Sequence, residues 1–335
     1  MSLFRKLMLS AVLAAGAAAA QPALAQEPVR IALVAKSLGN GFFEAANRGA
    51  EEAAKEIGNV EIIYTGPTTT TAEGQIEVLN ALISQRVDAI AISANDPDAV
   101  VPVLKRAMQR GIKVISWDSG VAAEGRQLHL NPSSNALIGD TNLKLAAAAL
   151  PEGRGDIAIL SATATSTNQN IWIEEMKKAL PKYAGLNIVT TVYGDDLSDK
   201  SYRETQALLQ SHPSVKAIVA PTSVGIVAAA QAVQDAGKVG EVFVTGLGLP
   251  SEMAGAVKSG ASKSFAIWNP VDLGYSAAYL AYDLVKDEVD GSVAAGTQLP
   301  AGRMGEIAVN EGAEAAMAEP FTYDSSNIDE FSKIF

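Results

Sequence analysis

The amino-acid sequence predicts an α/β protein built on two doubly wound parallel sheets. Short apolar runs of β-type residues alternate with segments whose apolar residues recur at helical spacing, the pattern of parallel strands connected by helices. Most residues of these runs are apolar, as expected of strands that are buried on both faces. The chain of 335 residues also exceeds one typical domain, so two sheets are expected.

The strands are predicted, in chain order, at Val29–Ala35, Val60–Tyr64, Ala89–Ser93, Lys113–Trp117, Asp156–Ser161, Ile188–Tyr193, Ala217–Ala220, Val242–Thr245 and Phe265–Trp268, with Leu128–Leu130 as a shorter tenth. Helical spacing is clearest in the intervening segments Phe43–Ile57, Gly74–Ser84, Ala99–Gln109 and Trp172–Leu180. The turn-rich stretch Asn131–Asn135 indicates a crossover between the sheets. The tail, Gly302–Phe335, has no clear strand–helix alternation and is expected to pack along both domains.

The first 25 residues are predicted to be a signal peptide. Arg5 and Lys6 precede the apolar stretch Leu7–Ala20, and Ala23–Ala25 (Ala-Leu-Ala) fits the small-residue cleavage rule. The apolar stretch is shorter than the roughly 20 residues of a membrane span, although a retained N-terminal anchor is the alternative. We therefore expect a mature protein that begins at Gln26 and is exported to the periplasm.

Composition excludes several classes of function. There is no cysteine, which excludes disulfides, thiol chemistry and a lipid-modified N-terminal cysteine. Removal of the signal peptide takes the formal net charge from −11 to −13, because Arg5 and Lys6 leave with it. Nucleic-acid binding is not expected of so acidic a protein, since phosphate contacts need Lys and Arg.

Polar and aromatic residues follow most of the predicted strands, where α/β sheets bind their ligands. In the first half of the chain the candidate ligand-binding residues are Lys36, Asn40, Phe42, Phe43 and Asp118. In the second half they are Asn168, Gln169, Trp172, Pro221, Thr222, Trp268 and Asn269.

Amides, a carboxylate and an ammonium beside aromatic rings suit a sugar. Sugar hydroxyls both donate and accept hydrogen bonds, and each one buried without a partner costs about 1–3 kcal/mol. The residues also have plainer interpretations: one of the adjacent Phe42 and Phe43 is expected to point elsewhere, and Trp172 suits core packing as well as sugar contact. A buried lysine needs a partner, and Asp118 is the expected partner of Lys36.

Catalytic signals are weak. His129 and His212 have no metal-ligand spacing, and the nucleophile elbow and the phosphate loop are missing. Asp195–Asp199 lacks the glycine and distal glutamate of a calcium loop and is interpreted as a solvated cap. We therefore expect a binding protein without enzymatic activity, metal or cofactor; an exported sugar-modifying enzyme is the alternative.

Several segments together carry a family resemblance: Ile31–Phe43, Asp88–Ser93, Trp117–Ser119, Asn168–Asn170 and Ala220–Thr222. Over nearly its full mature length, the chain resembles the periplasmic sugar-binding proteins of bacterial ABC importers related to the ribose-binding protein. It looks closest to the rhamnose-binding members, and next to the receptor for the autoinducer-2 (AI-2) signal. The lactose-repressor family shares the two-lobed core, but an export signal stands here in place of a DNA-binding headpiece.

The resemblance implies a type I fold, in which two Rossmann-like lobes are joined by three hinge crossovers and trap the ligand by closure. It places residues 26–130 and about 264–300 in the N-terminal lobe, and residues 131–263 and about 301–335 in the C-terminal lobe. The implied partners are a small sugar and an ABC permease of the inner membrane, and a monomer is expected.

The AI-2 receptor holds its ligand with residues that match Lys36, Asp118, Gln169 and Pro221. A second aspartate of that receptor is Asn168 here, which removes a negative charge and argues against AI-2. Ribose binders share an asparagine, two aromatic residues and an aspartate, matching Asn40, Phe42, Phe43 and Asp118. They also have an arginine and a later aspartate where this chain has Ser119 and Gly248. The resemblance therefore favours a methyl-bearing sugar such as L-rhamnose, with AI-2 reception for uptake or signalling as the alternative.

Overall fold

The computed structural model describes residues 27–287 and 289–334. The predicted signal peptide, residues 1–25, lies outside them. The described strands are β1 Val29–Val34, β2 Val60–Thr65, β3 Ala89–Ile92, β4 Lys113–Trp117, β5 Leu128–Asn131, β6 Gly155–Ser161, β7 Leu186–Tyr193, β8 Val215–Ala220, β9 Phe243–Gly246, β10 Ser264–Ile267, β11 Gln298–Pro300, β12 Glu306–Asn310, β13 Glu314–Ala316 and β14 Phe321–Asp324. The described α-helices are α1 Gly41–Ile57, α2 Ala72–Gln85, α3 Val101–Gln109, α4 Asn135–Ala149, α5 Thr167–Ala179, α6 Ser198–Ser211, α7 Ser223–Asp235, α8 Pro250–Ser259, α9 Pro270–Lys286 and α10 Ile328–Phe331.

The strands form two mostly parallel sheets, which confirms the predicted fold class. The first sheet has the order β11-β12-β13-β5-β4-β3-β1-β2, and the second has the order β7-β6-β8-β9. A single parallel bridge, between Leu247 and Ala266, connects β10 to the end of β9, and β10 also pairs antiparallel with β14. All ten predicted strands are present, with ends that differ by at most two residues.

The chain passes between the two sheets three times. It leaves the first sheet after β5, returns after β10, and leaves again between β13 and β14. The predicted return at about residue 264 is too early, because β10 is still attached to the second sheet.

The assignment of residues 301–316 to the C-terminal lobe is wrong, because β12 and β13 extend the first sheet beside β5. These strands are short and, in β12, buried only at every second residue. They therefore lack the continuous apolar run that marks a strand buried on both faces.

Helices α1 and α9 pack closely against the first sheet and against each other. A Cβ atom at Gly49 would lie 1.7 Å from the Val271 carbonyl oxygen, and one at Gly274 would lie 1.8 Å from that of Ala46. Only glycine allows backbones to approach this closely. The contact fixes the N-terminal end of α1, whose first turn contains Phe42 and Phe43, beside the segment that leads from β10 into α9.

No helix in the described part of the chain is long and apolar enough to cross a bilayer.

Candidate ligand-binding site

A small cavity lies between the carboxyl ends of the two sheets. The residues that line it are Lys36, Asn40, Phe42, Phe43, Asp118, Asn168, Gln169, Trp172, Asp196, Pro221, Thr222, Ser223, Leu247, Ile267 and Trp268.

All but one of the predicted site residues line this cavity. The exception is Asn269, whose side chain caps helix α9. Its Oδ1 accepts a hydrogen bond from the backbone N–H of Val271 at 2.9 Å, and its Nδ2 donates to Asp272 at 2.7 Å. Asparagine is a favoured N-cap residue, so the residue type alone could not distinguish helix capping from ligand binding at position 269.

Lys36 is buried in the cavity wall with 3% of its surface exposed. Its Nζ donates to Ser166 Oγ at 2.7 Å and to Asn168 Oδ1 at 3.1 Å. The expected direct pairing with Asp118 is wrong: Asn168 lies between them and donates its Nδ2–H to Asp118 Oδ1 at 3.0 Å. The two charged residues come from the first sheet, whereas the bridging amide comes from helix α5 beside the second.

The contacts of Asn168 fix the orientation of its amide. The oxygen accepts from Lys36, from Ser166 Oγ at 3.2 Å and from the backbone N–H of Gln169 at 2.8 Å. The nitrogen faces the Asp118 carboxylate, so a flipped amide would oppose every one of these partners. Asparagine therefore meets a cation on one side and an anion on the other, which an ionised aspartate cannot do.

Asp118 follows β4 in the left-handed region, with φ +57°, a conformation that aspartate tolerates better than most residues. Its second oxygen accepts from Ser93 Oγ at 2.8 Å. Burial raises the pKa of Asp118, whereas the charge of Lys36 and the hydrogen bonds from Ser93 and Asn168 act in the opposite direction. The structure thus holds a desolvated carboxylate in the cavity wall.

Five aromatic side chains form a series of edge-to-face contacts, and all of them but Trp117 line the cavity. Ring centroids are 5.7 Å apart for Phe43–Trp117, 5.3 Å for Phe42–Phe43, 6.2 Å for Phe42–Trp268 and 5.6 Å for Trp172–Trp268. Both phenylalanines line the cavity, so the expectation that one points elsewhere is wrong. Trp172 lines the cavity and is also packed, with 2% of its surface exposed.

Several polar groups of the wall have no hydrogen-bond acceptor among the described residues. Gln169 uses its oxygen on Ser161 Oγ at 2.8 Å and on the backbone N–H of Ala162 at 2.7 Å, and its NH₂ donates to no group in the described part of the chain. The oxygen of Asn40 caps α1, and its NH₂ likewise has no acceptor within residues 27–287 and 289–334. The buried indole Nε1 of Trp268 also has no partner among these residues. A ligand rich in oxygen acceptors would satisfy these donors.

Four lining residues were not predicted from the sequence: Asp196, Ser223, Leu247 and Ile267. Asp196 belongs to the stretch interpreted as a solvated cap, yet it follows strand β7 closely enough for the strand-end rule to have found it. Leu247 and Ile267 are apolar residues at strand ends and carry no signal distinct from that of the core.

Hydrogen bonds outside the cavity also connect the two halves of the molecule. The hydroxyl of Thr70 donates to the Asp195 carbonyl at 2.7 Å, that of Thr165 to Asn95 at 3.0 Å, and that of Thr167 to Gly120 at 3.0 Å. The sheets are therefore held around the cavity by groups that do not line it.

His129 lies in the first sheet near the first crossover. Its Nδ1 contacts Ser116 Oγ at 2.9 Å and its Nε2 contacts Asn131 Oδ1 at 3.1 Å. Burial lowers the pKa of His129 to about 3. No group of three or more potential metal ligands occurs within residues 27–287 and 289–334.

Comparison with known proteins agrees with this architecture. The sequence profile of the family described as periplasmic binding protein domain matches residues 31–288. A D-ribose/D-allose-binding protein from Pseudomonas aeruginosa is 32% identical over 229 residues, which cover 66% of this chain and 70% of that protein.

Solved structures show the same fold. An ABC transporter solute-binding protein from Clostridium phytofermentas with bound L-rhamnose is 37% identical, with a TM-score of 0.85 over 92% of this chain and 99% of that one. LsrB from Clostridium saccharobutylicum in complex with AI-2 also has a TM-score of 0.85 over 90% of this chain and 99% of that one. Its identity of 23% shows likeness of fold alone. These matches confirm the resemblance to ribose-binding proteins, and the chain belongs to the periplasmic binding protein domain family.

Proposed function

We propose that this chain is a solute-binding protein that captures a monosaccharide, with L-rhamnose as the favoured ligand, and delivers it to an ABC permease of the inner membrane. The carrying observation is the cavity between the sheet ends, where amide, ammonium and carboxylate groups oppose an aromatic wall. Polar groups of this kind suit ring hydroxyls, and the aromatic faces suit the apolar C–H face of a sugar ring. The relatives are sugar-binding transport proteins, which supports binding rather than catalysis.

Two observations favour L-rhamnose over other monosaccharides. The solute-binding protein with bound L-rhamnose has higher identity and coverage than the ribose/allose-binding relative. In addition, Leu247 and Ile267 give the cavity apolar surface, which suits the methyl group of a 6-deoxy sugar because buried apolar surface is favourable.

In this proposal the protein acts in the periplasm as a monomer. The parts built on the two sheets act as lobes that close on the sugar, with the three crossovers as the hinge.

AI-2 remains the second candidate because Lys36, Asp118, Gln169 and Pro221 all line the cavity. Asn168 argues against it, since its amide oxygen is used by Lys36 and its nitrogen by Asp118. An additional carboxylate at this position is therefore missing from the site. A signalling role would need a receptor partner in place of the permease.

Thermal unfolding and calorimetry of the mature protein test the proposal. L-rhamnose at millimolar concentration should raise the melting temperature, because a ligand that binds only the folded state stabilises it by RT ln(1 + [L]/Kd). L-mannose, which carries a hydroxyl on C6, and D-ribose are the matched controls and should bind more weakly. If AI-2 alone raises the melting temperature, the second candidate is correct. If neither L-rhamnose nor AI-2 does so, both specificities are wrong.

A further inference from the structure

The Asp195–Asp196 turn that follows β7 has a strained backbone. Both residues lie in the left-handed region, with φ +56° and +53°, and two consecutive non-glycine residues in this region are unusual. The turn is held by a backbone hydrogen bond from Asp195 to the Ala162 carbonyl at 3.0 Å and by Thr70 of the opposite half at 2.7 Å. Strain that the surroundings maintain in this way is a mark of functional segments.

This backbone directs the Asp196 side chain to the cavity wall. Its Oδ1 accepts a hydrogen bond from the Thr222 hydroxyl, which itself accepts from the backbone N–H of Gly225 at 3.1 Å and so caps helix α7. The Thr222 hydroxyl is thus fixed from both sides, and it fixes the carboxylate. The other oxygen, Oδ2, has no hydrogen-bond partner among the described residues.

Asp196 also faces the charge of Asp118 from the opposite sheet. It is near enough to contribute to the raised pKa of Asp118, and the cavity wall therefore contains two carboxylates and the single ammonium group of Lys36. Lys36 is already engaged by Ser166 and Asn168. Hydrogen-bond donors of the ligand are the groups that would relieve the repulsion between the carboxylates.

We propose that Asp196 is a ligand-binding residue, whose Oδ2 accepts a hydrogen bond from one ring hydroxyl of the bound monosaccharide. The sugar is then held by a carboxylate from each half of the molecule, Asp118 from the first and Asp196 from the second. This role depends on the proposed function.

The test pairs a protein change with a ligand change. L-rhamnose and its 2-, 3- and 4-deoxy derivatives are titrated by calorimetry into the wild-type protein, Asp196→Asn and Asp199→Asn. Asp199→Asn is the matched control, because it removes the same charge from an exposed residue of the same segment that does not line the cavity. Asp196→Asn should weaken L-rhamnose binding by about 10–100-fold, and Asp199→Asn should change it by less than about twofold.

The deoxy sugars distinguish a direct contact from a structural role. One of them should lose at least tenfold in affinity for the wild-type protein but less than about threefold for Asp196→Asn. Equal losses for both proteins with all three deoxy sugars would overturn the proposal.

If Asp196→Asn does not fold, a crystal structure of the wild-type protein with L-rhamnose decides. A sugar oxygen within 3.5 Å of Asp196 Oδ2 supports the contact, and none within that distance overturns it. Failure of the wild-type protein to bind L-rhamnose in calorimetry would instead overturn the proposed specificity.

Discussion

The Lys36–Asn168–Asp118 network gives a sharp prediction for Asn168→Asp. The substitution keeps the size of the side chain but replaces the amide nitrogen, which donates to Asp118 Oδ1 at 3.0 Å, with a carboxylate oxygen. At an effective dielectric constant of about 20, two unit charges at this distance repel by roughly 5–6 kcal/mol. Lys36 Nζ lies 3.1 Å from the other side-chain oxygen of residue 168, and its positive charge attracts the new carboxylate with an energy of similar size.

Because these Coulomb energies nearly cancel, the lost hydrogen bond to the charged Asp118 decides the outcome. Such a bond contributes about 1.5–3 kcal/mol, so L-rhamnose binding at pH 7.5 should weaken by roughly 10–100-fold. Asn168 and Asp118 come from opposite halves of the molecule. In the proposed closure mechanism they meet only when those halves close on the sugar, so the loss falls on binding.

The variant should also acquire a distinctive pH dependence. Two carboxylates in contact share a proton, which raises their pKa in the closed state above its value in the open state. Closure then takes up a proton, so affinity increases as pH falls, by up to about tenfold per pH unit between the two pKa values. The shared proton takes the place of the amide hydrogen.

Calorimetry from pH 5 to pH 8 measures this dependence against two controls, the wild-type protein and Asn170→Asp. The second control adds the same charge two residues along α5, at a position that does not line the cavity. Our reading of the network is refuted if Asn168→Asp binds L-rhamnose as tightly as wild type at pH 7.5. It is also refuted if the affinity of Asn168→Asp changes with pH no more than that of Asn170→Asp.

Three further predictions concern other groups around the cavity. Burial raises the pKa of Asp118, so its charge lowers stability increasingly as pH rises. Asp118→Asn should therefore raise the melting temperature of the ligand-free protein at pH 7.5, while L-rhamnose binding weakens at least tenfold by calorimetry. Thr165→Val and Thr167→Val each remove one hydrogen bond between the halves. Each substitution should increase the rate of sugar dissociation in stopped-flow measurements by roughly 2–12-fold. Unchanged rates would show that these hydrogen bonds do not stabilise the closed state. His129 is buried with its pKa lowered to about 3, so its side chain binds a proton more readily in the unfolded state. As pH falls below about 6.5, the free energy of unfolding should therefore decrease by up to about 1.4 kcal/mol per pH unit. Urea unfolding at several pH values measures this decrease, and His129→Gln should lack the contribution of the histidine to it.

The sequence predicted the parts of the fold that are buried on both faces. Strand β3 and the Ile31–Val34 part of β1 are uninterrupted apolar runs, since neither face meets water. Strand β12 alternates exposed and buried residues over only five positions, and β13 pairs with β5 far away in the chain. A short strand at the margin of a sheet is stabilised by such distant pairing, which local patterns do not contain.

The sequence correctly predicted those site residues that reach the cavity because they directly follow a strand. Lys36 and Asp118 were found in this way, because parallel strands bring their carboxyl ends to one edge. Their mutual contact was predicted wrongly, since it depends on how closely Asn168 approaches from the other half of the molecule. Asn269 and Asp196 were misassigned for a related reason: both residue types cap helices and turns as readily as they bind ligands.

The hydrogen bonds already made by the protein restrict what a ligand can add. Lys36, Asn168 and Asp118 are joined to one another, and the threonine hydroxyls connect the two halves outside the cavity. A ligand shifts the balance between open and closed states only through interactions that differ between them. Among the described residues, the NH₂ groups of Gln169 and Asn40 and the indole N–H of Trp268 have no protein acceptor, and Asp196 Oδ2 has no protein donor. A polyol whose ring and hydroxyl oxygens accept from these donors, and one of whose hydroxyls donates to the carboxylate, satisfies all four of these groups, whereas an apolar or purely anionic ligand leaves at least one of them buried and unpaired.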